Sequence, residues 1–412
     1  MSCPYLYRAQ HVNKNPSFSS AALATRRSSR HGDMRRRNES TLLSLIRRHP
    51  GLSSADLARG SGIAPQTVSV LLKGLEEQAI IIRGDAMRGR RGQPAVPIRL
   101  NPEGGYGIGV EIGWRHVSIV LLDLCGRIVG QKRREFPYVV ADGLIADISV
   151  GVRQLIAELS GEAQQRVRGL GVACPSRAGS DPSLFGASPA EMAALETLDV
   201  AGELQRRLEM PVVLLDDGGA ACRAECTYGR GAEYGHMLYM FIGAHIASGI
   251  FVGGRVIEGR AGDAGNLGAA IVCAADGAAC PLHMVASVKA LETRLLAKGK
   301  PVPRLAPSEW AWEALSGETM DWIEEAACGL AGAIANSCTV IDFPAVILDG
   351  ILPQTLLDHL GRRTQASLNR LAGRGFEPPM VKMGRLGMEA PAIGAANMPI
   401  YLTTFASETG LI

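Results

Sequence analysis

Four side chains within one short stretch, Gln66, Thr67, Ser69 and Lys73, have the chemistry of a surface that reads a nucleic acid duplex. A glutamine amide pairs bidentately with the edge of adenine, and a threonine methyl meets a thymine methyl. A lysine ammonium suits a phosphate. Downstream, Met87-Arg88-Gly89-Arg90-Arg91-Gly92-Gln93-Pro94 concentrates Arg88, Arg90, Arg91 and Gln93 on glycine-flanked backbone. Guanidinium groups on such a loop enter a narrow minor groove or line the phosphates.

These residues need elements to position them, and the flanking pattern supplies them. Asn38 is placed to cap a helix carrying Leu42, Leu43, Leu45 and Ile46, which ends near His49-Pro50-Gly51. Ser53 caps a second helix, and Asp56, three residues on, fits a capping box. Leu57 and Ala58 give that helix an inner face, and Ser61-Gly62-Ile63 makes the turn. Pro65 suits the first position of a third helix. Val68, Leu71, Leu72 and Leu75 follow at i, i+3, i+4 and i+7, which leaves Gln66, Thr67, Ser69 and Lys73 outside. Two short strands close the unit: Ile80 to Arg83, then the alternating Val96, Ile98 and Leu100. Three helices and a two-stranded wing over residues 38–102 make a winged helix-turn-helix, all-α apart from its wing. A helical interaction module with a solvated basic loop is the plainer alternative. Residues 1–37 lack an apolar period and read as a disordered basic tail, either merely solvated or an arm that adds nonspecific DNA affinity.

The 412 residues suggest two to four domains, and 47% hydrophobic but only 5% aromatic content favours helix-covered parallel sheets. Net charge is only +3, yet arginines crowd the first hundred residues, so that part is the one suited to a polyanion. Nine scattered cysteines and a start, MSCPYLYRAQ, without an apolar core fit reduced thiols in a cytoplasm. The Arg/Ser-rich start imitates a transit peptide, but Pro4 and Pro16 interrupt any amphipathic helix. No uninterrupted apolar run reaches the ~18 residues of a membrane span.

Beyond Asn101-Pro102, residues 103–412 alternate strands and helices. Tyr106 to Gly113, His116 to Leu124 and Arg127 to Glu135 read as consecutive strands. A helix from Gly143 to Leu159, a strand from Val167 to Cys174, a helix from Ala201 to Met210 and a strand from Val212 to Leu215 follow. Met237 to Ile257 reads as a strand pair folded about Gly253-Gly254. The last third is mostly helical, around strands Ala345 to Leu348 and Met380 to Leu386. The order β-β-β-α-β recurs loosely in both halves, an α/β fold in two lobes without a clear sequence repeat.

The run Gly89-Arg90-Arg91-Gly92-Gln93-Pro94, then Ile98-Arg99-Leu100-Asn101-Pro102, then Gly107-Ile108-Gly109-Val110-Glu111-Ile112-Gly113 resembles the ROK family, in its NagC/XylR-like regulator branch. Gly171-Val172-Ala173-Cys174-Pro175, Leu215 to Ala221, Gly243 to Ile250 and Ile393-Gly394-Ala395-Ala396 extend the resemblance from about residue 39 to the end. The resemblance implies an actin-like ATPase (sugar-kinase) fold with a ligand between two lobes. It places Asp217 at the family's catalytic aspartate, a cleft carboxylate or a helix cap, and makes Asp216, Asp217, Gly243, Asn266 and His283 candidate ligand contacts. The departures weigh against phosphoryl transfer, and we assign no catalytic residue. Where kinases of this fold start with a D-x-G-x-T-type turn, Glu111-Ile112-Gly113-Trp114-Arg115 lacks the hydroxyl and adds an indole. Gly265-Asn266-Leu267-Gly268-Ala269 loses the Glu and His of the sugar-contacting G-E-I-G-H. Asp349 stands where nucleotide-binding relatives carry glycines. The family's zinc site uses that His and three cysteines. Cys273, Cys280 and an unaligned His283 fall short of four ligands, so no metal or other cofactor is assigned.

The expectation is a repressor that binds double-stranded DNA under control of a sugar-like effector, which could be an unusual sugar, a sugar phosphate, or a polyol or acid. A homodimer or homotetramer is expected, because one helix reads one half-site. An ATP-dependent sugar kinase carrying a DNA-binding head is the alternative, supported by Asp217.

Overall fold

The computed structural model describes residues 30–85, 96–175, 186–260, 262–274, 276–302, 310–373 and 375–406. Helix α1 (Arg30–Arg48) begins upstream of the expected cap, so Asn38 lies inside it rather than at its start. Arg35 pairs with Glu39 at 2.9 Å, one helical turn apart, and helps carry the helix back into the arginine-rich stretch assigned to the tail. The expected capping box is present at α2 (Ser54–Ser61): Asp56 N–H donates to Ser53 Oγ at 3.2 Å, and Ser53 N–H to Asp56 Oδ2 at 3.0 Å. The helix stops at Gly62, whose φ of 70° is left-handed. Pro65 opens α3 (Pro65–Glu77), which buries Val68, Leu71, Leu72 and Leu75. Strands β1 (Ile81–Arg83) and β2 (Ile98–Leu100) pair antiparallel, Ile82 opposite Arg99. Arg88, Arg90, Arg91 and Gln93, between them, lie outside the described residues.

The first lobe comprises β3 (Tyr106–Ile112), β4 (His116–Asp123), β5 (Ile128–Glu135), α4 (Leu144–Ala157), α5 (Gly161–Gln164), β6 (Val167–Cys174), α6 (Pro189–Thr197), α7 (Val200–Leu208) and β7 (Val212–Asp216). Its sheet runs β5-β4-β3-β6-β7, an antiparallel meander extended by two parallel strands. Helix α8 (Asp217–Tyr228) leads to the second lobe. There β8 (His236–Ile242), β9 (Ile246–Val252) and β10 (Arg255–Val256) form a meander. They are followed by a small hairpin of β11 (Ile271–Cys273) and β12 (Ala279–Pro281), then α9 (His283–Ala286), α10 (Val288–Ala297), α11 (Ser316–Cys338), β13 (Ala345–Gly350), α12 (Gln354–Leu371), β14 (Met380–Met383) and α13 (Ala390–Ile400). The second sheet runs β10-β9-β8-β13-β14 with β13 and β14 parallel to β8. Both lobes therefore repeat one topology. The expected strand pair over Met237–Ile257 is corrected: it folds at Gly243-Ala244-His245, and Gly253-Gly254 makes a second turn into β10.

Helix α13 is buried along its whole length and packs against β3, β6 and α8. This contact requires glycine. A Cβ on Gly109 would lie 1.9 Å from the Ala392 oxygen, and one on Gly394 would lie 1.8 Å from the Ala220 oxygen. Past α13 the chain meets the winged helix. Ser40 Oγ donates to the Phe405 carbonyl, and the Arg47 guanidinium lies 4.6 Å from the Phe405 ring centre. Leu42, Ile46 and Leu72 of the head share one apolar cluster with Leu122 and Leu124 of the first lobe and Ile393, Ala396 and Ile400 of α13. Head and body thus share a continuous core.

Candidate DNA interface and ligand cleft

The apolar stripe of α3 faces α1 and α2, so its opposite face is solvent-facing. Gln66, Thr67, Ser69 and Lys73 are all exposed there, as the 3.6-residue period requires. Ser69 Oγ donates back to the Pro65 carbonyl at 3.0 Å. Lys73 has Glu77 at 3.9 Å, with both side chains more than two-thirds exposed, a pairing too weak to hold the ammonium from a phosphate. The four side chains sit in the first three turns of the helix, and among the described residues no other element covers them.

The candidate ligand site expected from the sequence begins where β7 ends. Asp216 caps α8, accepting the Gly219 N–H at 2.8 Å, and Asp217 Oδ1 accepts the Gly218 N–H at 2.7 Å. Asp217 is thus also within the capping turn, but its carboxyl is pushed well above the usual range, first by burial and then by the charges of Asp216 and Glu111. Glu111, at the end of β3, is 4% exposed; its Oε1 lies 3.2 Å from His116 Nε2, and its Oε2 has no hydrogen-bond partner among the described residues. Residues Glu111 and His116 were not among the sequence candidates. The signal available was an acid inside an otherwise apolar and glycine strand. Ser248 of β9 joins Asn266 to this region: a Cβ on Gly218 would meet the Ser248 backbone at 2.3 Å, and Ser248 Oγ accepts the Leu267 N–H at 2.8 Å and donates to the Gly265 carbonyl. The structure therefore gathers Asp216, Asp217, Glu111 and the Asn266 loop about the start of α8.

Gly243 and His283 stand apart from this group, at the β8–β9 turn and the start of α9. Both main-chain groups of Gly243 are engaged, its N–H with the His245 carbonyl and its carbonyl with the Val288 N–H, each at 2.9 Å. His283 is buried, its Nδ1 lies 2.9 Å from the Gly268 carbonyl, and its ring lies 4.6 Å from that of His245. His245 in turn lies 5.1 Å from the ring of Trp114. The first-lobe turn and the second-lobe β8–β9 turn thus meet through Trp114, His245 and His283. Beside them Arg115 forms a bidentate ion pair with Glu292 of α10, which is 1% exposed, and Lys289 adds a contact at 3.2 Å. This clasp across the lobes was also outside the sequence reading.

Asp349 ends β13 inside the second lobe. It accepts the Gly350 N–H at 2.9 Å, the Gly387 N–H at 3.1 Å and the Tyr239 hydroxyl at 3.2 Å. The carboxylate thus binds the loop before α13. For zinc, Cys273 and Cys280 lie on facing strands of the β11–β12 hairpin, with His283 turned to Gly268. Among the described residues no group of three or more metal-binding side chains is present, so these side chains do not fit a four-ligand site.

Residues 107–400 match the ROK family, and residues 33–92 match the MarR family. The chain belongs to the ROK family. Its relatives include the xylose repressor of Bacillus subtilis, 22% identical over 88% of this chain and 94% of that protein. An uncharacterised Sinorhizobium fredii protein, y4fQ, is 24% identical over 89% and 92%. The Escherichia coli DNA-binding transcriptional dual regulator NagC is 22% identical over 63% and 64%. Among solved structures, a ROK family transcriptional regulator, a homologue of E. coli MLC, superposes with a TM-score of 0.65, 20% identity and coverage of 90% and 97%. A Streptomyces griseus ROK glucokinase gives 0.54, 20% identity, 71% of this chain and 99% of that one. The ROK fold thus consists of the two lobes, and the MarR-type winged helix is the added head. Among the described residues no helix is long and apolar enough to cross a membrane.

Proposed function

We propose that this ROK protein is a DNA-binding transcriptional repressor, controlled by a sugar-like molecule held between its lobes and working in the cytoplasm as a homodimer or homotetramer. The observation that carries the reading is the shared core of head and body: α1 and α3 pack on the same cluster as α13, and α13 lies against α8, whose first residue is Asp217. A ligand that changes the angle between α8 and α13 has a direct path to the recognition helix, and a shift in lobe angle alters the spacing of two heads on paired half-sites. The relatives that are xylose and N-acetylglucosamine repressors support a sugar-class effector.

Gln66, Thr67 and Ser69 would contact base edges, Lys73 phosphate, and the Arg88, Arg90, Arg91 and Gln93 loop a groove or the backbone. Asp216, Asp217, Glu111 and Asn266 would hold ligand hydroxyls. Phosphoryl transfer is disfavoured: the Trp114, His245 and His283 stack and the Arg115–Glu292 clasp lie where the two lobe turns would have to admit phosphates. Selection of bound fragments from genomic DNA, followed by titration with a sugar and polyol library, tests the proposal. The expected result is a salt-sensitive preference for particular fragments that a library member changes. Absence of any preference over random DNA, or ADP release with a sugar that Asp217→Asn abolishes, refutes it.

A further inference from the structure

Outside the cleft, a cavity of about 710 Å³ opens at the edge of the second-lobe sheet, between α12, β14 and the loop from Gly384 to Gly387. Such a volume is within the range of small-molecule sites. Four of its lining residues are cations, Arg230, Arg362, Lys382 and Arg385, and one, Asp358, is an acid. Asp358 is already engaged by Gln354 Nε2 at 2.8 Å. Arg385 has Glu233 at 3.7 Å, but both side chains are 55% exposed, so that pair is weak. The Nε of Arg230 is buried and has no hydrogen-bond partner among the described residues. A concave surface with this excess of one sign focuses its field on an anion.

We infer that this cavity is a second ligand site, for a small organic phosphate. Its charge is carried by side chains: the Gly384 amide donates to the Leu348 carbonyl, the Arg385 amide to Glu225 and the Gly387 amide to Asp349, which leaves these backbone groups committed to the body. The three guanidinium groups of Arg230, Arg362 and Arg385 and the Lys382 ammonium, on different elements, match the oxygens of a phosphate from several directions. The site is coupled to the DNA head by position. Gly387 begins the turn into α13, and Arg230 follows α8, whose Tyr228 hydroxyl donates to Asn397 of α13 at 2.6 Å. An anion that draws Lys382, Arg385 and Arg230 together therefore acts on both helices that join body to head.

Calorimetric titration of the full chain with inorganic pyrophosphate, a hexose 6-phosphate and ADP tests the assignment and separates the sources of the phosphate. The expected result is saturable binding of at least one probe, which is weakened about tenfold by each of Arg362→Gln and Lys382→Gln and falls with added salt. The surface variant Arg134→Gln, on the first lobe, keeps the wild-type affinity. A probe that binds equally well to both cavity variants, or no probe binding below millimolar, overturns the inference and leaves Lys382 as a charge that blunts an edge strand.

Discussion

Asp349 offers a quantitative test of how the second lobe holds the start of α13. Burial, followed by the charge of Glu225, pushes its carboxyl up from 3.8 to about 6, despite the Gly350, Tyr239 and Gly387 hydrogen bonds that favour the ionised form. At pH values between these two figures the folded state holds the proton more tightly than the unfolded chain. Stability is therefore highest at the acidic end of that window, falls as pH rises through it, and levels off above about pH 6. Ionisation at neutral pH costs the fold roughly 3 kcal/mol, at 1.36 kcal/mol for each tenfold change in proton affinity. Asp349→Asn removes this cost and keeps an oxygen for the Gly350 and Gly387 amides, while the Tyr239 hydroxyl rotates to accept from the new NH₂. Allowing for the weaker acceptor, the variant should exceed wild type by about 1–2 kcal/mol near pH 7.5. The gap should close near pH 5, where wild-type Asp349 is mostly protonated. Paired denaturant melts at the two pH values, followed by tryptophan fluorescence and compared by midpoint because the chain has several domains, measure the difference. An advantage of equal size at both pH values, or a variant weaker than wild type at the higher pH, would show that the carboxyl is not the strained group.

Three further outcomes follow. Phe405→Ala removes a ring that is 3% exposed and covered by Arg47, so the fold should lose about 3–5 kcal/mol; limited proteolysis should then cut near residues 101–105, and an unchanged digest would contradict a docked head. Lys73→Ala should weaken binding uniformly across DNA sequences and lower the salt slope by about 1, whereas Gln66→Ala should cost about 1–3 kcal/mol of sequence preference with the slope unchanged. Arg115→Met leaves Glu292 buried with Lys289 alone and should destabilise by about 3 kcal/mol, most of it regained in the Arg115→Met, Glu292→Met double variant; thermal melts of the three variants that show plain additivity would count against the clasp.

What the sequence made legible follows from the range of the signals. The α2 cap, the Pro65 start and the buried stripe of α3 are written within a few residues, and all three are in the structure. The beginning of α1 differs from the expected Asn38 start because the exposed stretch Met34-Arg35-Arg36-Arg37 carries no apolar period to mark it as helix. The β8–β9 turn was missed for a related reason. Gly253-Gly254 is the stronger local turn signal, whereas Gly243 to His245 turns tightly with the help of a hydrogen bond from Val288 far along the chain. Asp217 could be located because it ends an apolar strand and opens a helix. Arg115 and Glu292 are 177 residues apart, and nothing near either residue announces the other.

The placement of the head constrains how the proposed repressor can be controlled. A head on a flexible linker would be indifferent to the angle between the lobes, and a ligand in the cleft would have no grip on it. Here the head buries Leu42, Ile46 and Leu72 in a cluster that includes Ile393 and Ile400, so reorienting it independently of α13 would expose apolar side chains. The helix crosses beneath β3 with backbone contacts that only glycine permits, which resists sliding and favours motion of α13 as a rigid body. Control then requires only that the effector bind one lobe angle better than another. A coupling of about 1–3 kcal/mol suffices for a 5- to 150-fold change in DNA affinity. The Arg115–Glu292 pair and the Trp114–His245 contact join the two lobes, so a change in lobe angle must rearrange them.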